Sequence, residues 1–219
     1  MPVTEIAVLV AQDPYTNDSP EFVTRIESIL ERMSAIAKNK TFRVYRQVDD
    51  PNKVDGPNKD VYFFGEWPSL EAHAEAWASD EGKAVVADCF AITQLSAMAH
   101  IEGPMSALPL DAPFVTVGRW PVTKEKKAEF EEFVAAMMPV VSKYVAPYGT
   151  AGSWRLDLDE TQKVKGEEEY IGVTGWSSEG SHREFFEAST WTDSASKTTY
   201  AAAYRPVDEA HLSLLTRVR

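Results

Sequence analysis

The sequence is poor in cysteine, in positive charge and in long apolar runs, and each shortage removes a class of protein. A single cysteine, Cys89, among 219 residues excludes an internal disulfide framework and suits a reducing compartment. Its expected role is that of a small buried hydrophobe. Lys and Arg number 22 against 34 Asp and Glu, a net charge of −12, with no basic stripe to offset it. Neither nucleic acid nor an anionic membrane surface is therefore expected as a partner. The one short basic run, KEKK at 124–127, reads as solvated surface at a helix start. No segment approaches the length of a membrane span. Glu5 and Asp13 bracket only a strand-length apolar segment, too short for the core of a secretory signal. The expectation is a soluble, cytoplasmic protein.

Chemical motifs are equally scarce. There is no glycine-rich phosphate loop, no dinucleotide fingerprint and no Gly-x-Ser-x-Gly elbow, which sets aside nucleotide, flavin and serine-hydrolase chemistry. The four histidines, at 73, 100, 182 and 211, show no clustered ligand spacing. No metal site and no cofactor are expected from that spacing.

What the chain does contain is a repeat. The stretch VYFFGEWPSLEAHAEAW, Val61 to Trp77, returns in degraded form as YIGVTGWSSEGSHREFF, Tyr170 to Phe186. A single offset of 109 superposes Trp67 on Trp176, Ser69 on Ser178, His73 on His182 and Trp77 on Phe186. Upstream, Phe22, Ile26, Leu30, Met33 and Ile36 map onto Phe130, Val134, Met138, Val141 and Tyr144 at an offset of 108. LSAMAHIE from Leu95 matches LSLLTRVR from Leu212 after an insertion of eight residues in the second copy. The expected organisation is one supersecondary unit used twice: a first unit over 1–102, a linker over 103–113, and a second unit over 114–219 with the insertion near 190–210.

Within the first unit, Glu5 to Ala11 reads as a buried strand. Ser19, Pro20 and Glu21 form a helix start, and Phe22, Ile26, Ile29, Leu30, Met33 and Ile36 supply its inner face. Strands follow at Phe42–Val48 and Val61–Trp67, separated by a polar loop over 49–59. Ser69 caps a helix carrying Leu70, His73, Ala74 and Trp77, a break at Asp80–Gly82 precedes a resumption from Lys83 to Ile92, and Leu95–Ile101 closes the unit. In the second unit the strands are placed at Phe114–Trp120, Gly152–Leu158, Tyr170–Trp176 and Leu212–Val218. Thr123 is expected to cap its long helix, Pro139 to kink it, Ser178 to cap the helix of His182, and Thr192–Ala203 to form an extra turn or lid. The order βαββαβ is the ferredoxin-like split motif. Val61, Phe63 and Phe64 cannot all point to one side of a strand, so a second sheet is needed. The expected fold class is α+β, with two tandem units whose antiparallel sheets pack into a barrel within one chain, a pseudo-dimer for which a further homodimer is left open.

On GEWPSLEAH and GWSSEGSH, each a strand ending in Trp followed by a helix with an inward aromatic, and on the βαββαβ order in both halves, the chain resembles the dimeric α+β barrel superfamily and within it the antibiotic-biosynthesis-monooxygenase-like group. The resemblance implies a pocket between the sheet and the helices of one unit. It also implies one of three activities: cofactor-free oxygenation of phenols or anthrones in secondary metabolism, haem breakdown, or polyketide cyclisation. Trp77 matches the helix Trp of the haem-degrading members. The His they require about three turns later is replaced here by Ala84, Val85, Val86 and Ala87, which disfavours haem breakdown and weakens the cyclase reading.

The candidate residues follow. His73 and Trp77, spaced i, i+4, share a helical face. His73 is read as a general base for a phenolic proton, against the alternative of a hydrogen-bonded core imidazole. Trp67, Trp77 and Trp176 offer aromatic walls for a flat ring, or ordinary packing. Tyr45, Arg43, Tyr62 and His100 are polar groups in otherwise apolar strands, which makes them candidates for orienting a substrate. His182 is the counterpart of His73. The first half is favoured as the working half, the ligand being a small aromatic or hydrophobic molecule. The rival class is a non-catalytic protein that holds a hydrophobic ligand.

Overall fold

The computed structural model describes residues 1–38, 40–49, 59–187 and 208–218. The expected 49–59 loop from residue 50 to 58, and the expected lid over Thr192–Ala203, lie outside the described residues. The chain divides into two compact units, Met1–Ala107 with His211–Arg219, and Leu108–Ala210. The boundary falls inside the expected linker. The terminal segment, expected with the second unit, groups with the first because its strand pairs there.

In the first unit the order is β1 (Val3–Ala11), α1 (Pro20–Ile36), β2 (Phe42–Asp49), β3 (Asp60–Trp67), α2 (Leu70–Ala78), α3 (Asp80–Phe90) and β4 (Thr93–Glu102). The antiparallel ladders run β4-β1-β3-β2, and β8 (Asp208–Val218) adds to β2. Alternation along the strands decides what faces the helices. Ala7, Leu9, Val44, Val61, Phe63 and Trp67 join Phe22, Ile26, Ile29, Leu30 and Met33 of α1 in one core. Each such large side chain, fully buried, contributes about 1.5–3 kcal/mol of transfer free energy. Tyr62 and Phe64, intervening on β3, are buried as well, so this strand is covered on both faces, as its run of apolar residues requires.

Local signals explain the helix ends, with two corrections. The Ser69 hydroxyl accepts from Ala72 N at 3.2 Å. Ser79 both terminates α2 and caps α3, its hydroxyl accepting from Gly82 N at 3.0 Å. Ser19 does stand at the start of α1, but its hydroxyl makes no cap bond and donates instead to Thr16 O at 3.2 Å. Thr123 likewise makes no cap bond, and a 3-10 turn, Lys124–Lys126, precedes the long helix.

The junction between α2 and α3 requires glycine. A Cβ on Gly82 would stand 1.9 Å from Ala76 O and 3.0 Å from Trp77 Cα, and backbone cannot retreat as a side chain end can. Gly82→Ala is expected to destabilise the protein by roughly 1–3 kcal/mol, the usual cost of overpacking. Urea unfolding would measure it, and an unchanged midpoint would show that the two helices can part freely.

The second unit contains β5 (Phe114–Thr123), α4 (Lys127–Val145), β6 (Gly149–Trp154), α5 (Glu160–Lys165), β7 (Glu167–Trp176) and α6 (Glu179–Glu187). Its antiparallel ladder is β5-β7-β6. α4 is assigned as one helix through Pro139. The strand expected over Gly152–Leu158 stops at Trp154, and α5 follows. Its signals are legible after the fact: Asp159 and Gln162 form a capping box, and Gly166 ends the helix at φ 65°, a left-handed conformation that glycine adopts without strain. Ser178 accepts from Ser181 N at 3.1 Å at the head of α6.

Candidate active site

The expected residues separate into three groups. In the first unit, β3 ends in Trp67 and α2 begins three residues later at Leu70, so His73 and Trp77 are delivered back over the end of the sheet. The Trp67 ring centroid lies 4.8 Å from that of His73 and 5.3 Å from that of Trp77. His100 sits on β4 directly opposite Glu5 of β1, and its ring lies 4.5 Å from His73. Thus His73, His100, Trp67 and Trp77 are brought together.

Tyr45, Tyr62 and Arg43 are not. Tyr45 and Tyr62 are cross-strand partners, and Tyr45 packs edge-on against Phe64 with centroids 5.4 Å apart. Their neighbours Val44, Val61 and Phe63 are the residues that meet the helices. A period of two therefore turns residues 43, 45 and 62 to the opposite face of the sheet. The expectation that these three share a pocket with His73 is corrected on that ground.

His182 and Trp176 form the third group, within the second unit. Their rings are 4.9 Å apart, and Phe114 and Phe185 close around them at 5.8 Å from His182 and 5.4 Å from Trp176. Arg155, just past the end of β6, is tied to Glu169 at 2.9 Å and to Asp157 at 2.9 Å.

A residue that the sequence reading passed over joins the first group. Glu5 is 4% exposed, its Oε2 accepts from Trp67 Nε1 at 2.7 Å, and it lies 3.4 Å from His73 Nε2. Trp77 Nε1 also contacts His73 Nε2 as a hydrogen-bond donor. One nitrogen thus faces a donor and an acceptor. Neutral at Nε2 it accepts from Trp77, and protonated there it donates to Glu5. Glu5 could have been found by the rule that selected His100, since it too is a polar group inside an apolar strand.

Beside this cluster lies a cavity of about 430 Å³ between the sheet and the helices of the first unit, walled by Ile29, Phe63, Trp77 and Met98 with Glu5, Lys83 and Cys89 as polar members. Its size falls within the range of about 300–1,000 Å³ usual for small-molecule sites. A more open hollow of about 530 Å³, bounded by Lys38, Pro68 and Glu75, lies behind Trp67 and has no comparable buried acid in its lining. His73 does not line the 430 Å³ cavity; it stands behind Glu5 and Trp77. Burial pushes the Cys89 thiol above its usual range, opposed by its contact with the Thr93 hydroxyl. The thiol therefore stays protonated at neutral pH and is a poor nucleophile.

The second unit provides an internal control. Phe114 pairs with Trp176 as Val3 pairs with Trp67, which places Thr116 at the register of Glu5. Trp176 Nε1 donates to Thr116 Oγ1 at 3.0 Å, so a hydroxyl suffices where the first unit uses a carboxylate. In the register of Ala7 and Phe63 stand Gly118 and Gly172, and the Trp120 ring lies over both, within 2.5 Å of a Cβ added at Gly118 and 2.9 Å of one at Gly172. Trp120 packs with Phe130 and Tyr170, and Trp154 completes the group. At this register Trp120 occupies the space that the Ala7 and Phe63 side chains take up in the first unit.

No family model and no curated protein matches the chain. Solved structures do. A candidate monooxygenase of Fusobacterium nucleatum is similar at a TM-score of 0.60 and 14% identity, over 99% of this chain and 93% of that one. An anthrone oxidase-like protein matches at a TM-score of 0.59 and 14% identity, over 99% and 92%. A variant of DypB from Rhodococcus jostii in complex with heme matches at 0.56 and 9%, over 97% and 92%. At such identities the likeness is one of fold, and the fold of this chain is the α+β fold that they share.

Proposed function

We propose that the first unit binds a flat phenol or anthrone in its helix-side cavity and oxygenates it without an added cofactor, as a monooxygenase of the antibiotic-biosynthesis type. The observation that carries this reading is the apolar cavity with the buried Glu5 in its wall and His73 behind it. Glu5 is the group that meets the substrate proton, and His73 takes it up and stabilises the charge, the role of a paired acid and base. The resulting anion is electron-rich and reacts with oxygen. In an anthrone, one oxygen atom becomes the new carbonyl and the other leaves as water with the two hydrogens of the methylene carbon, so the substrate supplies the electrons. Trp77 and Phe63 supply flat contact for the ring.

The names of the structural neighbours support an oxygenase over the cyclase alternative. A haem in this cavity would find no imidazole among its lining residues. We also read the two units as duplicated ferredoxin-like units of a barrel, the first keeping the site and the second, with Trp120 over Gly118 and Gly172, serving as scaffold.

Oxygen uptake with phenols, anthrones and hydroquinones, with no cofactor added, tests the reading. Wild type and His182→Ala are expected to turn over, while His73→Ala loses at least about a hundredfold, within the range for general bases. If wild type consumes no oxygen yet binds anthrones, the protein is a ligand carrier. Loss in His182→Ala alone would move the site to the second unit.

A further inference from the structure

We propose that Glu5, His73 and His100 form a binding site for one divalent transition-metal ion. One ligand-type atom from each of the three lies within 4.8 Å of the others, and all three residues are buried. They come from three elements: Glu5 and His100 are opposite one another on β1 and β4, and His73 reaches over them from α2. Histidine spacing in the sequence could not reveal this. Ions bound at about 2.0–2.2 Å hold their donors roughly 3–3.5 Å apart, and Glu5 Oε2 already stands 3.4 Å from His73 Nε2.

Packing does not require this donor set. In the second unit Thr116 accepts the equivalent indole N–H, and His182 is enclosed by Phe114 and Trp176 with no carboxylate at that register. A carboxylate and a second imidazole added to such a place carry a desolvation cost that a neutral hydroxyl avoids. A cation offsets it.

The donors also select the ion. Two imidazoles and one carboxylate suit zinc, cobalt, nickel, iron or manganese, whereas calcium and magnesium require more oxygen ligands. Three protein ligands leave a coordination position for water or a small anion, the pattern of reactive rather than purely structural sites. Trp67 orients the carboxylate through its N–H, the outer support such sites use. Binding takes the His73 Nε2 lone pair that Trp77 now contacts, which couples the ion to the cavity wall.

The ion and the substrate proton would compete for the same Glu5 and His73 atoms, so the oxygenase reading describes the metal-free protein and this site the metal-loaded one, and its test does not use activity. The full chain, stripped with a chelator, is titrated with cobalt(II) and followed by its visible d–d absorption, then by displacement with zinc(II). One ion per chain is expected, with Glu5→Gln and His100→Gln each weakening binding at least tenfold and His182→Gln leaving it unchanged. Independently of any variant, zinc is expected to shift the ring resonances of His73 and His100 in wild-type protein and spare those of His182. Absence of binding at millimolar metal, wild-type affinity in the Glu5 and His100 variants, or shifts confined to other histidines would overturn the proposal.

Discussion

Glu5→Gln is expected to reduce oxygen uptake by roughly 10²–10⁴-fold, the usual contribution of a positioned acid or base, while the protein stays folded. The amide keeps the shape of the carboxylate and an oxygen to accept the Trp67 N–H, now 2.7 Å away. Thr116 shows within the same chain that a neutral oxygen satisfies that indole. What is removed is the negative charge, and with it the capacity to take a proton at the cavity wall, so uptake is measured in chelator-treated protein. Steady-state uptake on the best substrate, with unfolding monitored in parallel, separates the two effects. Activity within threefold of wild type in a folded Glu5→Gln protein would remove Glu5 from the chemistry and return the burden to His73.

The largest effect on stability is expected at the other end of the chain. Glu169 is 3% exposed and accepts from Arg119 Nε at 2.7 Å, from Arg119 Nη2 at 2.6 Å and from Arg155 Nη1 at 2.9 Å. Burial alone would lower the Arg155 pKa; the bonds and charges of Glu169 and Asp157 outweigh it and hold the guanidinium above its ordinary value. Glu169→Ala leaves two cations facing one another without their shared acceptor. Breaking a buried pair from one side costs about 3–5 kcal/mol. Because the Arg119 and Arg155 side chains keep 23% and 13% exposure, water screens part of the loss, and about 2–3 kcal/mol is the expected outcome. Denaturant unfolding of Glu169→Ala measures it; Glu169→Gln, which retains an acceptor, should lose less. A shift below about 0.5 kcal/mol would class the cluster with ordinary surface pairs.

Much of this architecture was legible from local pattern. α1 runs from Pro20 to Ile36 because Pro20 presets the first turn and the apolar residues return every three or four positions. The Trp67–Ser69–His73–Trp77 spacing placed His73 and Trp77 on one face of α2, and their rings do meet. The site was legible only in part. His100 and His73 are both legible as candidates, but only separately, since 27 positions of sequence separate them. Tyr45, Tyr62 and Arg43 satisfied the same polar-in-apolar criterion and went to the other face, because that criterion does not say which face of a two-sided strand a residue occupies. Glu5 satisfies it too, and only strand register shows that it meets the two histidines.

By itself, then, the sequence determined most of the elements, the acidic balance and the set of side chains able to do chemistry, since these depend on local periodicity and on composition. The tertiary structure alone decided which of those side chains meet. Strand register set Glu5 opposite His100, the turn after Trp67 carried His73 onto them, and in the second unit the Trp120 ring covers Gly118 and Gly172, the positions that Ala7 and Phe63 hold in the first. Register and packing are fixed by contacts between residues far apart in the chain, and no local window of sequence contains both partners.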